Sequence, residues 1–213
     1  MSKQALLAVI SGFAGSGKGS AMKGLMEAYP DQYMLSVSMT TRDPRPGEEN
    51  GREYWFVTDE EFEREIQRGG LIEHAGYVGH YYGTPKAPVE KAMSEGKDVL
   101  LEIEIQGALK VKEQFPDAIL LFLAPPDAVE LKKRLVGRGT EDEETVKKRL
   151  ARAAEEAKGI GLYDYLVIND ELPDCIQRIR SILETEKMRT RNCSDLVRSL
   201  QEGTAAYKGG EKE

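Results

Sequence analysis

The chain has 213 residues, 40% hydrophobic and 31% charged, with a formal net charge of −7. This length and composition suit one soluble globular domain of ordinary size, with a sizeable core and room for an inserted lobe. No apolar run reaches the length needed to cross a bilayer, and the negative charge argues against broad nucleic-acid binding.

The opening Met1-Ser2-Lys3-Gln4 leads straight into the apolar run Leu6–Ile10, which leaves no room for a signal peptide. Leu6–Ile10 reads as a buried strand. It runs into Gly12-Phe13-Ala14-Gly15-Ser16-Gly17-Lys18-Gly19-Ser20, followed by a helical stretch over Lys18–Tyr29. In a strand, glycine-rich turn and helix of this kind, backbone N–H groups point inward and form a nest for phosphate oxygens. The lysine reaches the outer phosphates, and the helix adds its positive end. The expected ligand is a nucleoside triphosphate. Gly12, Gly17 and Lys18 satisfy the pattern G-x-x-x-x-G-K-[ST], but Gly19 stands where a hydroxyl normally touches Mg²⁺. Ser20 or a metal-bound water is left to fill that place. Gly-Lys-Gly resembles the phosphate loops of nucleoside-monophosphate kinases.

Residues 36 to 95 break the alternation of strand and helix. Tyr54–Val57 is followed by Thr58-Asp59-Glu60-Glu61, a capping box opening a short helix. Leu71–Tyr77 and His80–Tyr82 read as short strands, and Pro88–Glu95 as a helix closed by Gly96. Within this segment Arg42 and Arg45 flank Pro44, and Pro46 follows. Two guanidinium forks on a stiff turn suit a phosphate dianion. Taken alone, they fit equally well as solvated surface arginines.

Beyond residue 96 the alternation resumes. Strands are expected at Val99–Ile105, Ile119–Leu123 and Leu166–Ile168. Helices are expected at Ala108–Gln114, Ala128–Leu135, Glu144–Lys158 and Pro173–Arg189. This rhythm predicts a parallel sheet with helices on both faces. Glu102 and Glu104, at i and i+2, are expected on one face of their strand. Arg134 and Arg138 stand four apart, where a helix shows both on one side. Cys175 and Cys193, the only two cysteines, have no metal spacing and read as reduced thiols of a cytosolic protein. His74 and His80 form no metal or triad pattern. From about Gln201 the chain is polar and is expected to fray.

On these residues the sequence resembles the guanylate kinase family. Its acceptor pattern S-x-S-x-T-T-R-x-P-R-x-G-E-x-x-G-x-x-Y is met at every fixed position from Ser36 to Tyr54. Its G-x-Y-Y-G-[ST] stretch occurs as Gly79–Thr84, and Leu71-Ile72-Glu73-His74-Ala75 matches its glutamate-bearing strand. The resemblance runs from about residue 6 to about residue 190. It implies an α/β fold of the P-loop NTPase type with three parts and a tail: a core over 1–35, 97–136 and 160–200, an inserted mixed α/β lobe binding GMP over 36–96, a helical lid over 137–159, and a flexible tail over 201–213. It also implies phosphoryl transfer from ATP to GMP with Mg²⁺, in the cytoplasm, with no nucleic-acid or membrane partner. Oligomeric state is not legible.

The resemblance further implies residue roles. The loop from Gly12 to Ser20 (Gly12, Phe13, Ala14, Gly15, Ser16, Gly17, Lys18, Gly19, Ser20) would bind ATP. Arg42, Arg45, Tyr54 and Tyr82 would clamp the GMP phosphate, and Ser38 and Thr84 would bond the guanine O6 region. Glu73 and Glu104 would accept from N1–H and the 2-amino group. Lys18, Arg134, Arg138 and Arg149 would act on the transferred phosphoryl group. Asn169 would lie near the adenine or ribose of the donor. The chain departs from the family at Leu101-Glu102-Ile103-Glu104, where Asp is usual at both acids, and at Phe13 and Ala14, where Pro and Ser are usual. Two other readings are carried: a kinase for another monophosphate, and a non-catalytic phosphopeptide-binding domain.

Overall fold

A computed structural model of the chain describes residues 5–77, 79–137, 142–205 and 207–208. Its centre is a five-stranded, wholly parallel sheet. In chain order the strands are β1 (Leu7–Gly12), β2 (Tyr33–Leu35), β7 (Asp98–Glu102), β8 (Ile119–Ala124) and β9 (Tyr165–Ile168); in space they run β2-β7-β1-β8-β9. Parallel strands need crossovers, and helices supply them on both faces. Ala8, Ile10, Leu100, Leu121 and Leu123 bury against α1 (Lys18–Ala28) and α7 (Leu172–Glu186). Leu7, Val9, Leu101 and Leu120 bury against α3 (Lys86–Ser94) and α4 (Ile105–Gln114). The expected α/β architecture is therefore present.

A second sheet occupies the segment where the alternation breaks. Its order is β4 (Trp55–Phe56), β3 (Met39–Thr40), β6 (His80–Pro85), β5 (Leu71–Tyr77), and β5 and β6 pair antiparallel. The capping box forms as read: Glu61 N donates to Thr58 Oγ1 at 3.2 Å, Thr58 N donates to Glu61 Oε2 at 3.0 Å, and α2 (Asp59–Gln67) follows. A third apolar cluster joins α5 (Ala128–Gly137) to α6 (Glu143–Ala157) and takes in Phe13 and Ala14 of the glycine turn.

Several elements differ from expectation, the short strands β2 and β3 among them. The strand expected to reach Ile105 stops at Glu102; just beyond it the Ile103 carbonyl accepts from the Ser11 hydroxyl at 2.7 Å. Glu104 then caps α4 at φ −75°, ψ 161°, so Glu102 and Glu104 do not share a strand face. The three-residue edge strand β2 has too short a pattern to be read. Finally, a helix α8 (Ser194–Ala205) runs past Gln201, where the polar tail was expected to begin.

Candidate active site

The carboxyl ends of β1 and β7 open on a cavity of about 1130 Å³ whose far wall is the second sheet and whose side is α6. Single-ligand pockets usually hold about 300–1,000 Å³, so there is room for more than one small molecule. Phe13, Ala14, Gly15, Gly17, Lys18, Gly19 and Ser20 line one end. Ser38, Arg42, Arg45, Tyr54, Glu73 and Tyr82 line the other, and Glu104 and Arg149 also reach the wall. Gly12, Ser16, Thr84, Arg134 and Asn169 are not on the wall, and Arg138 lies outside the described residues.

The glycine turn is held from behind. Gly17 has φ +89°, in the left-handed region where a side chain is strained, and a Cβ there would meet Asn169 Nδ2 at 2.3 Å. That buried amide donates to Ser16 O at 2.8 Å. Lys18 Nζ donates to the carbonyl oxygens of Gly12 at 2.6 Å and Phe13 at 3.2 Å. Arg134 donates through Nη1 to Asn169 O at 2.9 Å and pairs through Nε with Glu130 at 2.8 Å. It is thus tied to the rear of the turn rather than to the cavity.

At the opposite end Arg42 is fixed by Glu48, with Nη1 2.9 Å from Oε2 and Nη2 3.0 Å from Oε1. Its guanidinium lies 5.4 Å from the centre of the Tyr54 ring and 5.6 Å from that of Phe56. The Tyr54 and Tyr82 rings meet edge to face at 5.9 Å. Thr84 Oγ1 donates to Glu73 Oε1 at 2.8 Å, and both side chains are buried. Gly107 of α4 makes the room for that carboxylate: a Cβ there would lie 2.7 Å from Glu73 Oε2.

The family model described as guanylate kinase matches residues 4–186. The chain belongs to the guanylate kinase family. It is 46% identical over 200 residues to the guanylate kinase of Latilactobacillus sakei, covering 94% of this chain and 98% of that one. It is 46% identical over 203 residues to the guanylate kinase of Enterococcus faecalis, covering 95% and 100%. Among solved structures, the guanylate kinase from Anaplasma phagocytophilum superposes with a TM-score of 0.72 at 32% identity, covering 88% of this chain and 89% of that one.

Within this guanylate kinase fold the cavity is not an excess of positive charge. Lys18, Arg42, Arg45, Arg52, Arg149 and Arg152 share its wall with Glu48, Glu53, Glu73, Glu102, Glu104, Glu155 and Glu156. Burial raises the Glu73 carboxyl above its ordinary value, with the Thr84 hydroxyl pulling the other way. Burial likewise raises Glu102, opposed by nearby Lys18 and reinforced by Glu104. Glu156 is raised by the same desolvation. Sequence reasoning gave no role to Arg152, Glu48 or Glu156. The signal for Glu48 was present, since it is a fixed position of the acceptor pattern. Among the described residues no group of three or more His, Cys, Asp or Glu side chains is arranged to hold a metal ion, and no helix is long and apolar enough to cross a membrane.

Proposed function

We propose that the protein transfers the γ-phosphoryl group of ATP to GMP, giving ADP and GDP, by direct in-line displacement in the cytosol. The carrying observation is the single cavity that joins a glycine-lysine turn at the end of β1 to a second sheet bearing buried Glu73 and the Arg42–Tyr54–Tyr82 cluster. In this reading residues 36–96 are the acceptor lobe, residues 137–159 the lid, and the remainder up to residue 200 the core.

Lys18 and the turn's amides hold the donor phosphates, with Asn169 bracing the turn from behind. Arg42 and Arg45, with the hydroxyls of Tyr54 and Tyr82, hold the GMP phosphate. Ser38 and Thr84 serve the O6 side of guanine, and the carboxylates of Glu73 and Glu104 accept from its N–H groups. Ionised carboxylates are acceptors only, and adenine presents no matching donor edge, so AMP would leave Glu73 buried without its partner. Arg149 reaches the transferring group from α6; the resemblance assigns Arg134 and Arg138 to the same group, and Arg134 would first have to release the Asn169 carbonyl. Lid closure excludes water that would hydrolyse ATP. The acceptor oxygen of a phosphate monoester is already anionic, so no general base is needed.

Mg²⁺ fits the donors present. It takes hard oxygens, usually one or two from protein with phosphates and water completing the shell. Gly19 offers none, but the exposed hydroxyl of Ser20 and the half-buried carboxylate of Glu102, near Lys18, lie on the cavity wall at this end. When bound, the ion neutralises charge developing on the phosphates.

A coupled assay of ADP formation with GMP and with AMP tests the reading. The expected preference in kcat/KM for GMP is about 10⁴-fold or more. Equal turnover of the two would overturn it.

A further inference from the structure

Arg152 is a cavity residue with no part in the reading above. It follows Arg149 by three positions on α6, so both project from one side of that helix. Its Nε donates to Glu156 Oε1 at 2.6 Å, and its Nη2 donates to Glu104 Oε2 at 3.0 Å. The Glu156 side chain is only 12% exposed and belongs to the same helix, so it anchors the root of the fork. Glu104 is 48 residues away in sequence, at the cap of α4, and its side chain is 54% exposed. The guanidinium therefore bridges a fixed carboxylate on the closing helix and a loose one on the acceptor side.

Glu104 needs such a hold. It carries one methylene more than the aspartate usual in the family, and therefore one more rotatable bond to order when a ligand binds. It has also left the strand and has no sheet ladder to fix it. A planar guanidinium that binds one oxygen of Glu104 removes that freedom and leaves the other oxygen open to a donor.

We infer that Arg152 is a positioning residue for the acceptor base: by holding Glu104 Oε2 from α6, it orders the carboxylate that receives the guanine N–H groups. The inference rests on the assignment of Glu104 to guanine made above. It also ties base recognition mechanically to the helix that carries Arg149.

Steady-state kinetics of Arg152→Ala, Arg152→Lys, Glu104→Gln and the double variant Arg152→Ala/Glu104→Gln test it, with GMP varied at saturating ATP and ATP varied at saturating GMP. Arg152→Ala is expected to raise KM for GMP about tenfold, with kcat and KM for ATP within about twofold. Arg152→Lys, which keeps the charge and loses the fork, should recover part of this. Glu104→Gln should raise KM for GMP at least as much, and the double variant should be no worse than Glu104→Gln alone. An Arg152→Ala enzyme with unchanged KM for GMP beside an impaired Glu104→Gln enzyme sinks this inference alone. So does a fall in kcat with KM for GMP intact, or a lowered melting temperature as the sole effect. An unimpaired Glu104→Gln enzyme sinks both the assignment of Glu104 and the inference.

Discussion

The two edges of the central sheet use the same kinds of side chain in opposite ways. At the carboxyl edge, Lys18, Glu102, Arg149 and Glu104 face a cavity, and several charges are held on backbone carbonyls or by partial pairs. At the amino edge the charges close on one another. Asp98, 1% exposed at the start of β7, accepts from Leu6 N at 3.0 Å and lies 2.6 Å from Lys187 Nζ. Buried Glu186 takes the Tyr165 hydroxyl and pairs with Arg189 at 3.1 Å. Burial alone would lower the Lys187 ammonium, but Asp98 and Glu184 more than offset it and hold the group above its ordinary value. Charge that is satisfied internally stabilises the fold. Charge held against an open volume leaves interaction energy for a ligand.

The largest break in this comparison is expected from Lys18→Ala. It should cut kcat by about 10³-fold or more, the scale of a cation acting on a transferring phosphoryl group, while GMP affinity measured by calorimetry and the melting temperature stay close to the parent. Unchanged turnover would remove Lys18 from the donor site. At the opposite edge Lys187→Met should cost about 3–5 kcal/mol of stability, read from denaturant midpoints, because it strands a buried carboxylate. Turnover per folded molecule should not change. Asp98→Asn combined with Lys187→Met should be less damaging than Lys187→Met alone.

Glu73→Gln separates the two uses of charge within one residue. Burial holds the Glu73 carboxyl above its ordinary value, so the folded chain binds that proton more tightly than the unfolded chain does. The ionised group is thus a cost at neutral pH that disappears as pH falls through the raised value. The Gln variant, which mimics the protonated form, should melt at the parent temperature or above it at pH 7. Its KM for GMP should rise about tenfold or more. In the parent, GMP affinity should fall on acidification at a pH above that of an ordinary carboxylate. A lower melting temperature with unchanged KM would contradict both halves. The smallest effect is expected from Glu48→Gln, which weakens the two-point hold on Arg42. It should raise KM for GMP several-fold and leave kcat nearly intact.

Local chemistry was legible where it is carried by neighbours in sequence. The glycine turn, the Thr58–Glu61 capping box and the proline-stiffened arginine pair all lie where their residues indicate. Contacts across the chain were not. The strand ends at Glu102 and the next carbonyl takes a hydroxyl 92 residues earlier, a contact that no local pattern announces. Arg152 and Glu156 stand four apart on one helix, and only the fold brings Glu104 to them. Phe13 and Ala14 stand where Pro and Ser are usual, and they both line the cavity and pack against the cluster of Leu131, Leu135, Val146 and Ala153, with Phe13 edge-on to Phe122 at 5.0 Å. Arg134 offered a helical spacing but gave no sign that it would fasten on the carbonyl of Asn169.

The Lys18 ammonium rests on the carbonyl oxygens of Gly12 and Phe13. The cation occupies those oxygens like a parked key. With Ser16 already pinned by Asn169, nucleotide arrival asks for one side-chain swing, a picosecond-to-nanosecond event, instead of a refolding of the backbone. Capture of the donor should therefore run at a speed set by diffusion and cleft access.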